Sequence, residues 1–394
     1  MALGVLQGVA NAFRRALRSV PADERAALPQ VTWAEPGAEP VRRVCPNCGV
    51  TSAKPQLLNV VHTPLHRARQ SWTLLSCPHC TCCFYNEQPV TDYAGDEMLT
   101  RGRAELYVQQ GAGLAQIFRP IGRIAKPAGS RVLDIGCGFG FGLDFAIRAR
   151  GWSGQGLDPA QIAALGRDLL GVPIEQRLLE AGEPDMMGAF DVVMAAETLE
   201  HVPDPSAFLR IVASALTPDG VLVLTTPDAR ALNPSTPPGQ LAGLLSPELH
   251  VVFQSEASLR TLLEQNGFDA VEIEHDGGAL VAYASTQALP LNDDPAAFRA
   301  LYLDYLEARA GDFEASDDLF WGFAGRGLLE AVNAGDTGRA ARLLEPVRRA
   351  CLEQFGIDLD QPSLPAETAT CSLERMGALM PLNFGSILYA IAML

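Results

Sequence analysis

The ten residues Arg131-Val-Leu-Asp-Ile-Gly-Cys-Gly-Phe-Gly140 constrain this chain more than any other stretch. The apolar run before Gly136 is short and bounded by a glycine turn, which reads as a buried β-strand. Gly136, Gly138 and Gly140 then remove side chains from the turn, so the backbone can approach a ligand closely. The helix that follows turns its N-terminal N–H groups toward the same ligand. Similar strand, turn and helix patterns recur downstream. Apolar runs at Gly154–Leu157, Phe190–Ala195 and Val221–Thr225 alternate with helical stretches. That alternation is the mark of a mostly parallel sheet with helices on its faces.

The glycine spacing narrows the ligand. A dinucleotide fingerprint needs G-x-G-x-x-G, with its third glycine at position 141, where this chain has Phe141. Asp134 sets an acid where a ligand amino group would lie. Both points favour S-adenosylmethionine over NAD. Here the chain resembles the class I S-adenosylmethionine-dependent methyltransferases: Asp134, Gly136, Gly138 and Gly140 match their first motif, D-x-G-x-G-x-G. Gly156-Leu-Asp158-Pro159 matches the second. Phe190-Asp-Val-Val-Met-Ala-Ala196-Glu197-Thr-Leu-Glu200-His201-Val resembles the fourth-strand block of the subgroup containing ubiquinone-biosynthesis O-methyltransferases and sugar methyltransferases. Leu216-Thr-Pro-Asp-Gly220 matches the same subgroup, whereas the third-strand region Glu175–Glu180 gives no sharp match. The resemblance spans about residues 110–285. It implies an α/β fold with a doubly wound, mostly parallel, seven-stranded Rossmann-like sheet. It also implies donor contacts from Asp134, Gly136, Cys137, Gly138, Gly140, Asp158, Pro159 and Ala196, with Asp158 gripping the ribose hydroxyls.

Nine cysteines are present, and six fall between Cys45 and Cys83. Cys45-Pro-Asn-Cys48 and Cys77-Pro-His-Cys80 are two C-x-x-C knuckles with 28 residues between them. Two such turns can close a tetrahedral thiolate shell, so the pattern points to a structural Zn²⁺ held by Cys45, Cys48, Cys77 and Cys80. His79, Cys82 and Cys83 are substitute ligands. His62 and His66 lie in the excursion between the knuckles. Clustered thiols without a secretion signal point to a reducing, cytoplasmic setting.

Four segments follow: an N-terminal helix and linker over 1–44, a zinc-ribbon-like module over 45–92, the methyltransferase domain over 93–290 and an α-helical C-terminal domain over 291–394. Helical periodicity over Ala297–Ala308, Leu319–Asn333 and Arg339–Phe355 supports the last. The apolar run Met380–Leu394 is expected to pack onto the catalytic domain or a partner subunit. Residues 229–246, with Pro234, Pro237 and Pro238, read as a loop over the site rather than a helix. No run of about 20 apolar residues predicts a membrane span. Met1–Val20 reads as a short amphipathic docking helix, which leaves peripheral membrane contact open.

Methyl transfer from a sulfonium is an in-line displacement, so the enzyme mainly aligns donor and acceptor. A hydroxyl acceptor also needs a base. His250, in the segment Glu248–Ser255, and His201, beside Glu197, follow strand ends where ligands of open α/β sheets bind. His250 is the expected general base, with His201 and Glu197 beside it. In some family members an E-x-x-E-H cluster and a later His hold a divalent metal. Glu197, Glu200, His201 and His250 are the counterparts here, a candidate second metal site. His275 reads as ordinary surface.

The acceptor class is a small molecule or a glycan precursor. The layout is similar to that of deoxysugar C-methyltransferases. Their C-terminal part is a second α/β domain and this one reads as helical, so O-methylation is favoured. An RNA or protein methyltransferase docking substrate through the zinc module is the alternative, with a non-catalytic assembly protein behind it. Charge opposes nucleic acid: the chain is −16 overall, and residues 1–92 carry nine Lys and Arg against six acids. Oligomeric state is not legible.

Overall fold

The computed structural model describes residues 29–62, 70–87, 93, 101–247, 249–363, 366–369 and 371–394. Met1–Val20 and His66 lie outside these residues. The chain divides into two compact units. One comprises Arg25–Ala94 and Ile124–Asn292. The other comprises the described residues of 101–123 and 293–394.

The cysteine-rich part opens with β1 (Gln30–Trp33), β2 (Val41–Val44), β3 (Thr51–Lys54), β4 (Gln56–His62), β5 (Gln70–Ser76) and β6 (Cys83–Tyr85). β1 and β2 fall where composition suggested only a linker. The next helices, α1 (Arg101–Gly111) and α2 (Ala115–Arg123), belong to the second unit rather than to the methyltransferase domain drawn from sequence.

The sheet-bearing core then follows: β7 (Arg131–Ile135), α3 (Phe141–Arg148), β8 (Ser153–Leu157), α4 (Gln161–Leu170), β9 (Ile174–Glu175) and β10 (Phe190–Ala196). After it come α5 (Pro205–Ala215), β11 (Leu216–Pro227), α6 (Pro238–Leu245), β12 (Val252–Phe253), α7 (Glu256–Gln265), β13 (Ala270–Asp276) and β14 (Ala279–Ser285). Among the described residues these build a seven-stranded sheet in the order β13-β14-β11-β10-β7-β8-β9. β9, β8, β7, β10 and β11 run parallel, and β14 is antiparallel to both its neighbours. The sheet is the expected Rossmann-like one. Strand order reverses between β7 and β10, and the crevice beyond their C-terminal ends is where such sheets bind ligands.

Local chemistry explains the helices on this sheet. Asp204 caps α5 by accepting from Ala207 N–H, and Pro205 fills the first turn, where no donor is needed. Ser255 and Ser258 cap α7 reciprocally. Leu209 and Val212 of α5 and Leu259, Leu262 and Leu263 of α7 join Leu133, Val193, Leu222 and Ala282 in one buried core. α4 lies close on the glycine loop because Gly166 has no side chain: a Cβ there would stand 1.9 Å from the Phe139 carbonyl oxygen.

The expected loop over 229–246 contains α6 instead. Pro237 and Pro238 sit at its N-cap and first turn, where proline suits the required φ and forfeits no hydrogen bond.

A second, antiparallel sheet has the order β1-β4-β5-β6-β12. Its last strand comes from the part of the chain that builds the seven-stranded sheet: Val252 pairs with Phe84 and Phe253 with Cys83. The knuckle hairpin β2-β3 stands beside it as a two-stranded sheet.

The second unit adds α8 (Pro295–Gly311), α9 (Asp318–Asn333), α10 (Thr337–Phe355), α11 (Leu373–Leu379) and α12 (Phe384–Met393) to α1 and α2. α9 is central and packs against α1, α8, α10 and α12. The apolar C-terminal run therefore packs onto α9 within its own unit, with Phe384 and Ile387 buried and Asn383 bonded to the Trp321 carbonyl. Among the described residues no single helix is long and apolar enough to cross a membrane.

Candidate active site

The glycine turn after β7 is tied to the end of β8. Gly136 N–H donates to Leu157 O (2.8 Å) and Gly138 N–H to Asp158 Oδ2 (2.9 Å), while Ala160 N–H donates to Asp158 Oδ1 (2.8 Å). Gly136 takes φ +68°, and a Cβ there would meet Thr198 Oγ1 at 2.4 Å, so only glycine fits. Asp134 is buried under the turn. Burial, and after it the nearby Asp158, pushes its carboxyl up to about 7, and burial also raises Asp158. Neither carboxylate forms an ion pair among the described residues. Two such groups at the head of a loop favour a cationic ligand, which would restore their ionised forms.

A cavity of about 670 Å³ opens beside this turn. Gly136, Asp158 and Pro159 line it on one side, and Glu197, Thr198, His201 and Tyr93 on the other. Val202, Leu249 and Val251 supply apolar wall near His201. Gly140 is not in the wall; it ends the turn at φ +90° as the N-cap of α3. Asp134, Cys137 and Ala196 also lie behind the lining. The Cys137 side chain packs over Gly156.

Glu197 follows β10 with φ +49°, a strained backbone for a non-glycine residue. It is held there by Thr225: Glu197 N–H donates to Thr225 O (2.9 Å), and Thr225 Oγ1 donates to Glu197 Oε1 (2.9 Å). A single 3₁₀ turn, Leu199–His201, then carries the next two polar groups. Glu200 is fully buried. Its Oε2 accepts from Thr226 Oγ1 (3.0 Å), and its Oε1 has no hydrogen-bond partner. Burial, and after it Glu197, holds the Glu200 carboxyl well above its usual range.

The two histidines face that orphaned oxygen. His201 Nδ1 lies 2.9 Å from Leu249 O, and His250 Nδ1 lies 2.7 Å from Leu244 O. A carbonyl only accepts, so both Nδ1 atoms carry the proton and both Nε2 atoms present lone pairs. His201 Nε2 is 3.9 Å and His250 Nε2 4.0 Å from Glu200 Oε1. Burial lowers the pKa of both rings. His250, pressed further by His201, falls to about 4. Glu200 Oε1 and the two Nε2 atoms thus converge, and Glu200, His201 and His250 could hold a metal ion. Glu197 bonds to Thr225 instead and is outside that trio. His250 does not line the cavity; its ring lies behind His201, with ring centres 4.9 Å apart. The cavity-facing imidazole is His201, and His250 stands beside it.

Sequence reading missed Tyr93. Its hydroxyl lies 2.9 Å from His201 Nδ1 and donates to Leu249 O (3.3 Å), beside the bond that fixes the His201 tautomer. No motif marks it. His275 is exposed, as expected, and bridges Asp228 (3.1 Å) and Glu256 (2.9 Å).

The cysteine knuckles also converge. Cys45 and Cys80 sulfurs are 3.6 Å apart, and those of Cys48 and Cys77 3.8 Å. A tetrahedron with about 2.3 Å metal–sulfur bonds has edges of about 3.8 Å. Lys54 is fully buried, and its ammonium donates to Cys77 Sγ (3.3 Å), Ser52 Oγ (2.7 Å) and Val50 O (3.1 Å). Cys82 stands against the cluster, 3.3 Å from Cys45 and 3.4 Å from Cys80, and its contacts with Cys45 and Cys80, then burial, hold it as a thiol.

Residues 109–273 match the family model described as a methyltransferase domain. Over this stretch the chain is similar to methyltransferase domains. It is similar to the ubiquinone biosynthesis O-methyltransferase of Pseudomonas aeruginosa (strain LESB58), 41% identical over 105 residues, covering 25% of this chain and 45% of that protein. It is also similar to the protein of that name from Xanthomonas axonopodis pv. citri (strain 306), 40% identical over 107 residues, covering 26% and 44%. The chain thus spans less than half the length of these curated relatives. A solved S-adenosylmethionine-dependent methyltransferase from Mesorhizobium loti matches at 20% identity and TM-score 0.37, covering 44% of this chain and 98% of that one.

Proposed function

We propose that the protein transfers a methyl group from S-adenosylmethionine to a hydroxyl of a small-molecule or glycan-precursor acceptor. One observation carries this reading: a single cavity joins the glycine turn and Asp158 on one side to His201 on the other. On the donor side, the Gly136–Gly140 turn receives the methionine portion and Asp158 accepts from the ribose hydroxyls. On the acceptor side, the hydroxyl lies at His201 Nε2. The acceptor oxygen attacks the methyl carbon, the carbon–sulfur bond breaks with its electron pair passing to sulfur, and the hydroxyl proton goes to His201. Leu249 O and Tyr93 keep the His201 tautomer that can accept it. Val202, Leu249 and Val251 hold the acceptor's apolar part and exclude water.

The two donor clusters fit metals of different roles. Cys45, Cys48, Cys77 and Cys80 fit a closed structural Zn²⁺ shell. Glu200, His201 and His250 also fit a divalent ion, which when bound would occupy the His201 Nε2 lone pair in place of the acceptor proton and would itself make the acceptor hydroxyl more acidic. The test is His201→Ala. It should lower turnover by roughly 10²–10⁴-fold while leaving donor affinity, measured by calorimetry, unchanged. Turnover that survives the substitution would remove His201 from the chemistry.

A further inference from the structure

The cysteine module is built into the wall of the active site. Its second knuckle runs directly into β6, and β6 pairs with β12, whose two residues follow His250 and Val251 in the chain. Tyr85 N–H donates to Val251 O (3.3 Å), and Val251 N–H donates to Glu200 O (2.7 Å). Two backbone bonds therefore lead from the knuckle strand to the buried Glu200. The first knuckle grips the other end of the same segment. Gln254 Nε2 donates to Asn47 Oδ1 (2.9 Å), Asn47 Nδ2 donates to Ser258 O (3.3 Å), and Ser258 Oγ donates to Gln254 Oε1 (2.7 Å). All three side chains are buried. Tyr85 also donates to Leu245 O (3.3 Å), one residue beyond the carbonyl that fixes His250.

The donor side has no such dependence. Gly136, Gly138 and Asp158 are positioned by β7, β8 and the bonds between their own loops. Strand β12 has two residues, too few to hold their own place, and its ladder partner is the knuckle strand.

We infer that the cysteine site positions the acceptor half of the active site: a metal at Cys45, Cys48, Cys77 and Cys80 fixes β6, β6 fixes β12, and β12 sets the placement of His250, Leu249 and, through Leu249 O, His201. This rests on the proposed role of His201 for its functional consequence, but not for its structural one. Asn47, Gln254 and β12 are positioning residues in this scheme. Loss of that metal disables acceptor chemistry and spares donor binding.

The experiment uses the full-length protein and avoids chelators, which would also strip the Glu200, His201 and His250 cluster. In Cys77→Ser protein, zinc by metal analysis should be lost. The hydrogen-bonded Nδ1–H resonances of His201 and His250, assigned in a chain with six histidines, should shift or exchange away. Turnover should fall roughly 10–100-fold with donor affinity unchanged. If Cys77→Ser does not fold, Asn47→Ala decides: zinc stays bound, donor affinity holds, and the same two resonances move with a fall in turnover. Unmoved resonances in folded protein that has lost its zinc overturn the inference. So does an absence of zinc from the unmutated protein, or a loss of donor affinity as large as the loss of turnover. If no methyl transfer is found with any acceptor, the resonances and donor affinity still test the coupling, so its failure is separable from failure of the proposed reaction.

Discussion

Donor binding should release a proton from Asp134. In the free protein, burial and Asp158 lift this carboxyl to about 7, so about half the molecules carry the proton at pH 7. A cationic donor over the glycine turn favours the ionised form and expels it. Calorimetric titration with S-adenosylmethionine at pH 7, repeated in phosphate and Tris, should give apparent enthalpies that differ by about half a proton per site times the difference in buffer ionisation enthalpy. Affinity should fall roughly tenfold from pH 8 to pH 6, as the ionised fraction drops from about nine-tenths to one-tenth. The same shift bears on stability. The folded-state value lies above the unfolded value of about 3.9, so folding binds a proton at intermediate pH. The protonated group's contribution is fully present below about pH 4 and is lost as pH rises toward 7. The loss is at most about 4 kcal/mol. Asp134→Asn should flatten both profiles. Buffer-independent enthalpies and a pH-flat affinity in the unmutated protein would refute the reasoning, because a cation bound over the turn that buries Asp134 cannot leave both unchanged.

Replacing Asp158 with Ala should abolish tight donor binding in calorimetry and free the Gly138 and Ala160 N–H groups; retained affinity would show that the β8 carboxylate does not grip the donor. Gly166→Ala should cost about 1–3 kcal/mol or more and lower the melting temperature by several degrees, since the new Cβ would stand 1.9 Å from Phe139 O. Gly239→Ala, with open space around its Cβ, is the neutral control, and equal melting temperatures for the two variants would contradict the packing account.

The donor side was legible in the sequence because its chemistry is local. A strand, three spaced glycines and an acid ending the next strand are read off consecutive residues, and the loop bonds join those residues to one another. The cysteine knuckles were legible for the same reason, since each pair needs only one tight turn. On the acceptor side the residues Glu197, Glu200, His201 and His250 were legible but their geometry was not, because it is set by distant partners. His250 follows its strand as read, and Leu244 O holds its ring beside that of His201, which lines the cavity. Tyr93 carries no motif, and its role follows only from where the chain returns to Leu249. β12 is too short to give a periodic signal and exists because β6 pairs with it. The prolines at 237 and 238 signal a breaker in sequence and a helix start in three dimensions; the difference is their position in the first turn. The C-terminal apolar run announced burial but not its partner, which is α9.

The central claim is methyl transfer through this cavity, and label transfer tests it most directly. The protein is incubated with methyl-labelled S-adenosylmethionine and source-cell extract, and nucleic acid, protein, glycolipid and small-molecule fractions are counted separately. The account predicts label in the small-molecule or glycan fraction, lost with Asp158→Ala and with His201→Ala. Label in RNA or protein, or none in any fraction from protein that binds the donor, would contradict it.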